Sequence, residues 1–99
     1  MTHNKPDDNQ AEIVKYLRSK GAKVKIATGV RKLGFDLLVF VHGGTYPCEV
    51  KDGSKPLSEQ KLTPNEQAVH KELAQVGVVV WILRSLTDCD ELLEWMRND

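Results

Sequence analysis

Asp36, Glu49 and Lys51 are the residues whose types and spacing could carry chemistry. Between Asp36 and Glu49 runs His42-Gly43-Gly44-Thr45, which reads as a tight hairpin. A two-residue turn of the primed type at Gly43-Gly44 needs positive φ, which glycine adopts without penalty. His42 would then face Thr45, Phe40 would face Pro47, Leu38 would face Glu49, and Asp36 would face Lys51. Opposed side chains share a sheet face, as do neighbours two apart on one strand. Asp36, Glu49 and Lys51 are therefore expected on one patch.

Two carboxylates and an ammonium make a poor core. They make a good site for a divalent cation and a phosphate. Phosphodiester hydrolysis needs an activated water, neutralised phosphate charge and help for the leaving oxygen. Mg²⁺ supplies several of these and prefers hard oxygen ligands, with Mn²⁺ as a substitute. Asp36 and Glu49 are the candidate metal ligands, with the Val50 carbonyl as a third. Lys51 could orient or deprotonate the attacking water, or stabilise the transition state. The plainer alternative is a cross-strand ion pair between Asp36 and Lys51.

The elements that must position these residues can be read along the chain. Residues 8–20 read as a helix that Asp8 can cap, with Ile13, Val14 and Leu17 as its apolar stripe and Gly21 after its end. Residues 22–28 alternate as a strand, with Lys23 and Lys25 on one face. Gly29 to Gly34 reads as a basic loop, and 35–42 and 45–51 as the hairpin strands. A polar loop from Asp52 to Leu62 precedes a helix over 63–75. There Thr63 caps, Pro64 takes the first helical position and Glu66 completes a capping box. The apolar run over 76–83 reads as a strand buried on both faces, and Thr87 as the cap of a last helix. The order is α-β-β-β-α-β-α. A meander of three strands, with a helical crossover returning the fourth parallel to the third, predicts a four-stranded mixed sheet flanked by helices.

In the first helix, Val14 lies about 40° round from Gln10 and Glu12 about 200°. Gln10 is thus expected to face the sheet and border the site, while Glu12 faces solvent. Glu12 stays a rival to Gln10 on this helix.

The 99 residues make one domain, 1–99, with a polar tail over 1–7. Acidic and basic residues balance at 14 each, yet the charge is asymmetric. No acid falls between Glu12 and Asp36, whereas Lys15, Arg18, Lys20, Lys23, Lys25, Arg31 and Lys32 do. Such a segment can face a polyanion. Lys23, Lys25, Arg31, Lys32, Lys55 and Lys61 are the candidate DNA contacts; a solvated surface is the alternative for them. No apolar run could span a bilayer and no signal peptide is evident. Cys48 and Cys89 read as free thiols of a reducing cytosol, and no zinc-ligand spacing occurs.

Asp36, Glu49-Val50-Lys51 and a following helix bearing Gln67 resemble the PD-(D/E)XK nuclease superfamily. Asp8-Asn9-Gln10, Gly34-Phe35-Asp36-Leu37-Leu38-Val39, Glu49-Val50-Lys51-Asp52-Gly53, Lys55-Pro56 and Leu62-Thr63-x-x-Glu66-Gln67 are similar to the small stand-alone VRR-NUC (virus-type replication-repair nuclease) proteins of phages. The resemblance covers roughly residues 7–85. Two positions depart from it. Phe35 stands where the family usually has proline, and Pro47 stands where it has an aliphatic strand residue. The resemblance implies a restriction-endonuclease-like αβββαβ core and a Mg²⁺-dependent endonuclease acting on DNA, including branched DNA such as a Holliday junction. It implies that Gln67 faces the active site. His70, beside it, is a minor candidate. A phage protein of this kind would act in the host cytoplasm. A homodimer suits so small a nuclease, since two strand cuts need two sites. The alternative is a non-catalytic DNA-binding module on the same scaffold, which would leave the intact Asp36, Glu49 and Lys51 set unexplained.

Overall fold

The computed structural model describes residues 7–98, so all but Asp7 of the expected tail lies outside the described residues. The elements are α1 (Gln10–Ser19), β1 (Lys23–Ile26), β2 (Leu37–Val41), β3 (Gly44–Val50), a 3-10 turn (Leu57–Glu59), α2 (Pro64–Ala74), β4 (Trp81–Leu83) and α3 (Leu86–Asn98). They form an α/β fold around one four-stranded mixed sheet of order β1-β2-β3-β4. The first three strands are antiparallel, and β4 runs parallel to β3 after the α2 crossover. Among the described residues, no helix is long and apolar enough to cross a membrane.

One sheet face makes the core. Leu37, Val39, Cys48, Val50 and Leu83 point into it and meet Ile13, Val14 and Leu17 of α1 and Cys89, Leu92 and Met96 of α3. Both cysteines are buried free thiols, and burial pushes both upward, Cys89 to about 12. The other face is covered only in part, by α2. This helix has no fully buried residue. Its half-buried Glu66, Val69, His70 and Leu73 fall at the i, i+3, i+4, i+7 positions of a single stripe.

The hairpin differs from the expected one. Its turn is His42-Gly43, with φ of 51° and 77°, as a type I′ turn requires at both central positions. Histidine tolerates the left-handed region better than most residues. Gly44 instead opens β3 opposite Val41. A Cβ there would lie 3.0 Å from the Tyr46 ring, a tight contact that glycine avoids. Phe40 accordingly faces Thr45, and Leu38 faces Pro47. The expected pairs His42–Thr45, Phe40–Pro47, Leu38–Glu49 and Asp36–Lys51 do not form. The shift moves each partner by two residues, so every side chain keeps its face. Bonded pairs alternate from Val41–Gly44, which puts Leu38–Pro47 at an unbonded pair. Pairing with β4 starts only at Cys48. Pro47 therefore interrupts no ladder bond in an inner strand.

The run over 76–83 is not one buried strand. Gly77, at φ 82°, ends α2: its N–H donates to the Ala74 carbonyl at 3.0 Å, and the Val78 N–H donates to Leu73 at 2.9 Å. This pair of bonds is the Schellman ending that glycine permits. Val76 and Val79 are exposed, and only Trp81–Leu83 pairs with β3. Two caps also move. Ser85, not Thr87, accepts from the first turn of α3, through the Asp88 N–H at 3.4 Å. Asn9, not Asp8, precedes α1, and it makes no side-chain cap. Its Nδ2 instead donates to the Lys51 and Arg84 carbonyls, each at 3.2 Å. Those two bonds tie the start of α1 to the chain leaving β3 and β4.

Candidate active site

Asp36 lies just before β2. Leu37 pairs with Cys48, and the Asp36 N–H also donates to the Cys48 carbonyl at 2.9 Å. Two residues against one form a bulge, a device that re-aims a side chain. The Asp36 carboxylate then takes the place of a missing strand partner, since its Oδ2 accepts the Val50 N–H at 2.8 Å. A strand residue sends its N–H and C=O to the same side. The Val50 carbonyl is thus also directed past the end of β2, toward Asp36.

Glu49 is 2% exposed and Lys51 8%, both on the α2 face of the sheet. Lys51 Nζ lies 3.6 Å from Glu49 Oε2 and 3.1 Å from Glu66 Oε1. Glu49 Oε1 is buried with no hydrogen-bond partner among the described residues; His70 Nε2 stands 3.7 Å away. Burial first, and then the neighbouring Asp36 and Glu66 carboxylates, push Glu49 up to about 10. Burial works against the Lys51 ammonium, but the hydrogen bond and charge of Glu66, then the charges of Glu49 and Asp7, leave it above the ordinary lysine value. Burial also works against the Glu66 carboxylate. The Thr63 N–H, Glu49 and Lys51 outweigh it and hold Glu66 below its ordinary value. Asp7, whose charge is felt at Lys51, is raised mainly by burial, with Asp36 adding to the rise against the pull of Lys51.

The other candidates divide. Gln10 is 5% exposed, and its Oε1 accepts the Thr28 hydroxyl at 3.0 Å; that hydroxyl oxygen lies 3.3 Å from Asp36 Oδ1. Gln10 therefore borders the site through Thr28. Glu12 is exposed on the opposite side, at the rim of a cavity of about 800 Å³ shared with Asp52, Arg84 and Asp88. Gln67 does not join the cluster. It is exposed, and its Nε2 donates to the Leu62 carbonyl at 3.1 Å. The register of α2 turns Glu66 and His70 toward β3 instead. His70 Nε2 donates to the Gly34 carbonyl at 2.8 Å. At Gly34, φ 89°, a Cβ would fall 2.5 Å from Val69, so the basic loop meets α2 at a position only glycine allows.

Lys23 and Lys25 are exposed on the same sheet face, level with Phe40 and Leu38. Arg31, Lys32 and Lys61 are exposed in loops. Lys55 is paired with Asp8 at 3.4 Å. Sequence reasoning missed Glu66, Thr28 and Asp7. Glu66 had been accounted for by its capping box. The signal available was its spacing of four from His70 on one helix face.

No family model matches the chain, and a search of the curated proteins returns no match. Among the described residues, no three or more His, Cys, Asp or Glu side chains are grouped to hold a metal. Mg²⁺ does not need such a cage, because it is held by one or two carboxylates and keeps several waters. The donors here suit it. Asp36 and Glu49 offer carboxylate oxygens, the Val50 carbonyl is directed their way, and a buried Glu49 oxygen lacks a hydrogen bond. The buried Glu49 carboxylate and its half-buried neighbour Asp36 repel each other until a cation or a proton joins them.

Proposed function

We propose that this protein is a Mg²⁺-dependent endonuclease that hydrolyses DNA phosphodiester bonds. The observation that carries the reading is the buried Glu49 carboxylate beside Asp36, with Lys51 3.6 Å away on the same sheet face. The resemblance of the Asp36, Glu49-Val50-Lys51 and Leu62-Thr63-x-x-Glu66-Gln67 blocks to the VRR-NUC nucleases supports it.

Asp36, Glu49 and the Val50 carbonyl would hold the metal. When bound, Mg²⁺ supplies charge neutralisation at the phosphate and activation of the attacking water. Lys51 acts as a fixed cation rather than as a base, because its carboxylate neighbours favour the ammonium. It stabilises negative charge that grows on the phosphoryl oxygens. Gln10 and Thr28 hold Asp36 from behind. Exposed Lys23, Lys25, Arg31 and Lys32 supply backbone contacts, and such contacts position DNA without reading its sequence.

The substrate is DNA, including branched forms, and the working form is a homodimer, which brings two sites to two strands. A cleavage assay with Mg²⁺ on single-stranded, duplex and four-way DNA tests this, with Lys51→Ala as control. Cleavage by wild type and its loss in the variant support the reading. Equal cleavage by both overturns the role of Lys51, and no cleavage of any substrate overturns the activity.

A further inference from the structure

Glu66 belongs to two networks at once. Its Oε1 accepts the Thr63 backbone N–H at 2.9 Å, while Thr63 Oγ1 takes the Glu66 N–H at 3.1 Å. The same Oε1 accepts from Lys51 Nζ at 3.1 Å. A lysine ammonium ends a flexible stem and has no preferred orientation of its own. Here it is caught between Glu66 on α2 and Glu49 on β3. The helix that supplies Glu66 has no fully buried residue. Its polar contacts, Glu66 to Lys51 and His70 to the Gly34 carbonyl, act beside the half-buried Val69 and Leu73 in orienting it.

We propose that Glu66 is a positioning residue: anchored by the Thr63 cap, it holds the Lys51 ammonium beside the Asp36–Glu49 pair, so the site is complete only when the start of α2 is folded and docked. The activity part rests on the nuclease reading above. The contact itself does not. A cap needs only a side-chain oxygen, and glutamine serves a capping box as well as glutamate. An ammonium clamp draws on the charge, because a hydrogen bond between two ionised groups is stronger than one to a neutral amide oxygen. Glu66→Gln therefore separates the two roles.

The test compares wild type, Glu66→Gln, Lys51→Ala and the double variant. Three properties are measured: thermal unfolding, DNA cleavage with Mg²⁺, and acylation of each lysine in metal-free protein, read by mass spectrometry. Glu66→Gln should melt like wild type, and its Lys51 should label faster while Lys15 and Lys20 are unchanged. Its kcat should fall by about tenfold or more, the scale of a misplaced group, with KM for DNA nearly unchanged. In the Lys51→Ala background the same change should cost nothing further. Unchanged Lys51 labelling in Glu66→Gln overturns the proposal, as does an equal loss of kcat with and without Lys51, or a rise in kcat, which would make the contact a brake. Failure of wild type to cleave DNA would sink the nuclease reading alone; the labelling would still decide whether Glu66 holds Lys51.

Discussion

The Asp36 carboxylate accepts the Val50 backbone N–H at 2.8 Å, joining a candidate metal ligand to the strand that carries the other two. Asp36 thus has a structural duty beside the proposed chemical one. Asp36→Asn keeps an oxygen acceptor and loses the charge. It should fold with wild-type stability and fail to cleave. Asp36→Ala leaves the N–H of the buried Val50 without its partner and should also lose about 1–3 kcal/mol of stability. Urea unfolding of the two variants checks the difference.

Catalysis and binding should separate. Lys51→Ala should lower cleavage by about a hundredfold or more, the scale of a lost electrostatic stabiliser. Its DNA affinity should change little, with a salt slope lower by about one unit. Replacing Arg31 and Lys32 together by Ala should do the reverse, weakening binding with near-normal turnover at saturating DNA. Filter binding at several salt concentrations, beside single-turnover cleavage, measures both.

Glu49 makes the metal-free protein sensitive to alkali. Its folded value, about 10, lies above the ordinary 4.5, so the folded state holds a proton that the unfolded state releases. That contribution to stability is complete below about 4.5 and is lost as pH rises toward 10. Melting in EDTA should therefore fall between pH 6 and pH 9 by more in wild type than in Glu49→Gln. Mg²⁺ should reverse the fall, because binding needs the ionised carboxylate. A wild-type profile that matches Glu49→Gln at every pH contradicts this.

The basic loop is locked to α2 at Gly34. Gly34→Ala forces a Cβ to within 2.5 Å of Val69 at a left-handed backbone. Overpacking of this kind costs about 1–3 kcal/mol, and here it should also loosen Arg31 and Lys32. Gly29→Ala, with nothing within 4 Å of its Cβ, carries only the backbone strain and should cost less. Chemical denaturation of the two variants tests the ranking.

Much of this architecture was legible in the sequence. Element order and strand order followed from periodicity and from the Thr63-Pro64-Glu66 signal. The shared face of Glu49 and Lys51 followed from alternation. Local glycine chemistry was less legible. Gly43-Gly44 and His42-Gly43 are both acceptable turns, because histidine also tolerates the left-handed region. Glu49 and Lys51 keep their expected face because the resulting shift is even. Gly77 sits in an apolar run that reads as a strand, yet it ends a helix, because the Ala74 and Leu73 carbonyls needed donors. Glu66 was hidden by having a sufficient local explanation. Only the docking of α2 shows that its carboxylate also meets Lys51.

Cleavage of a defined DNA set by purified protein, with Mg²⁺ and then with EDTA, decides whether Asp36, Glu49 and Lys51 form a metal-dependent nuclease site. The account predicts cleavage with Mg²⁺ or Mn²⁺ and none in EDTA. It predicts little with Ca²⁺, whose looser coordination positions the reactants poorly. It also predicts loss of cleavage in Asp36→Asn, Glu49→Gln and Lys51→Ala. Full activity in EDTA, or wild-type cleavage by Glu49→Gln, would contradict it.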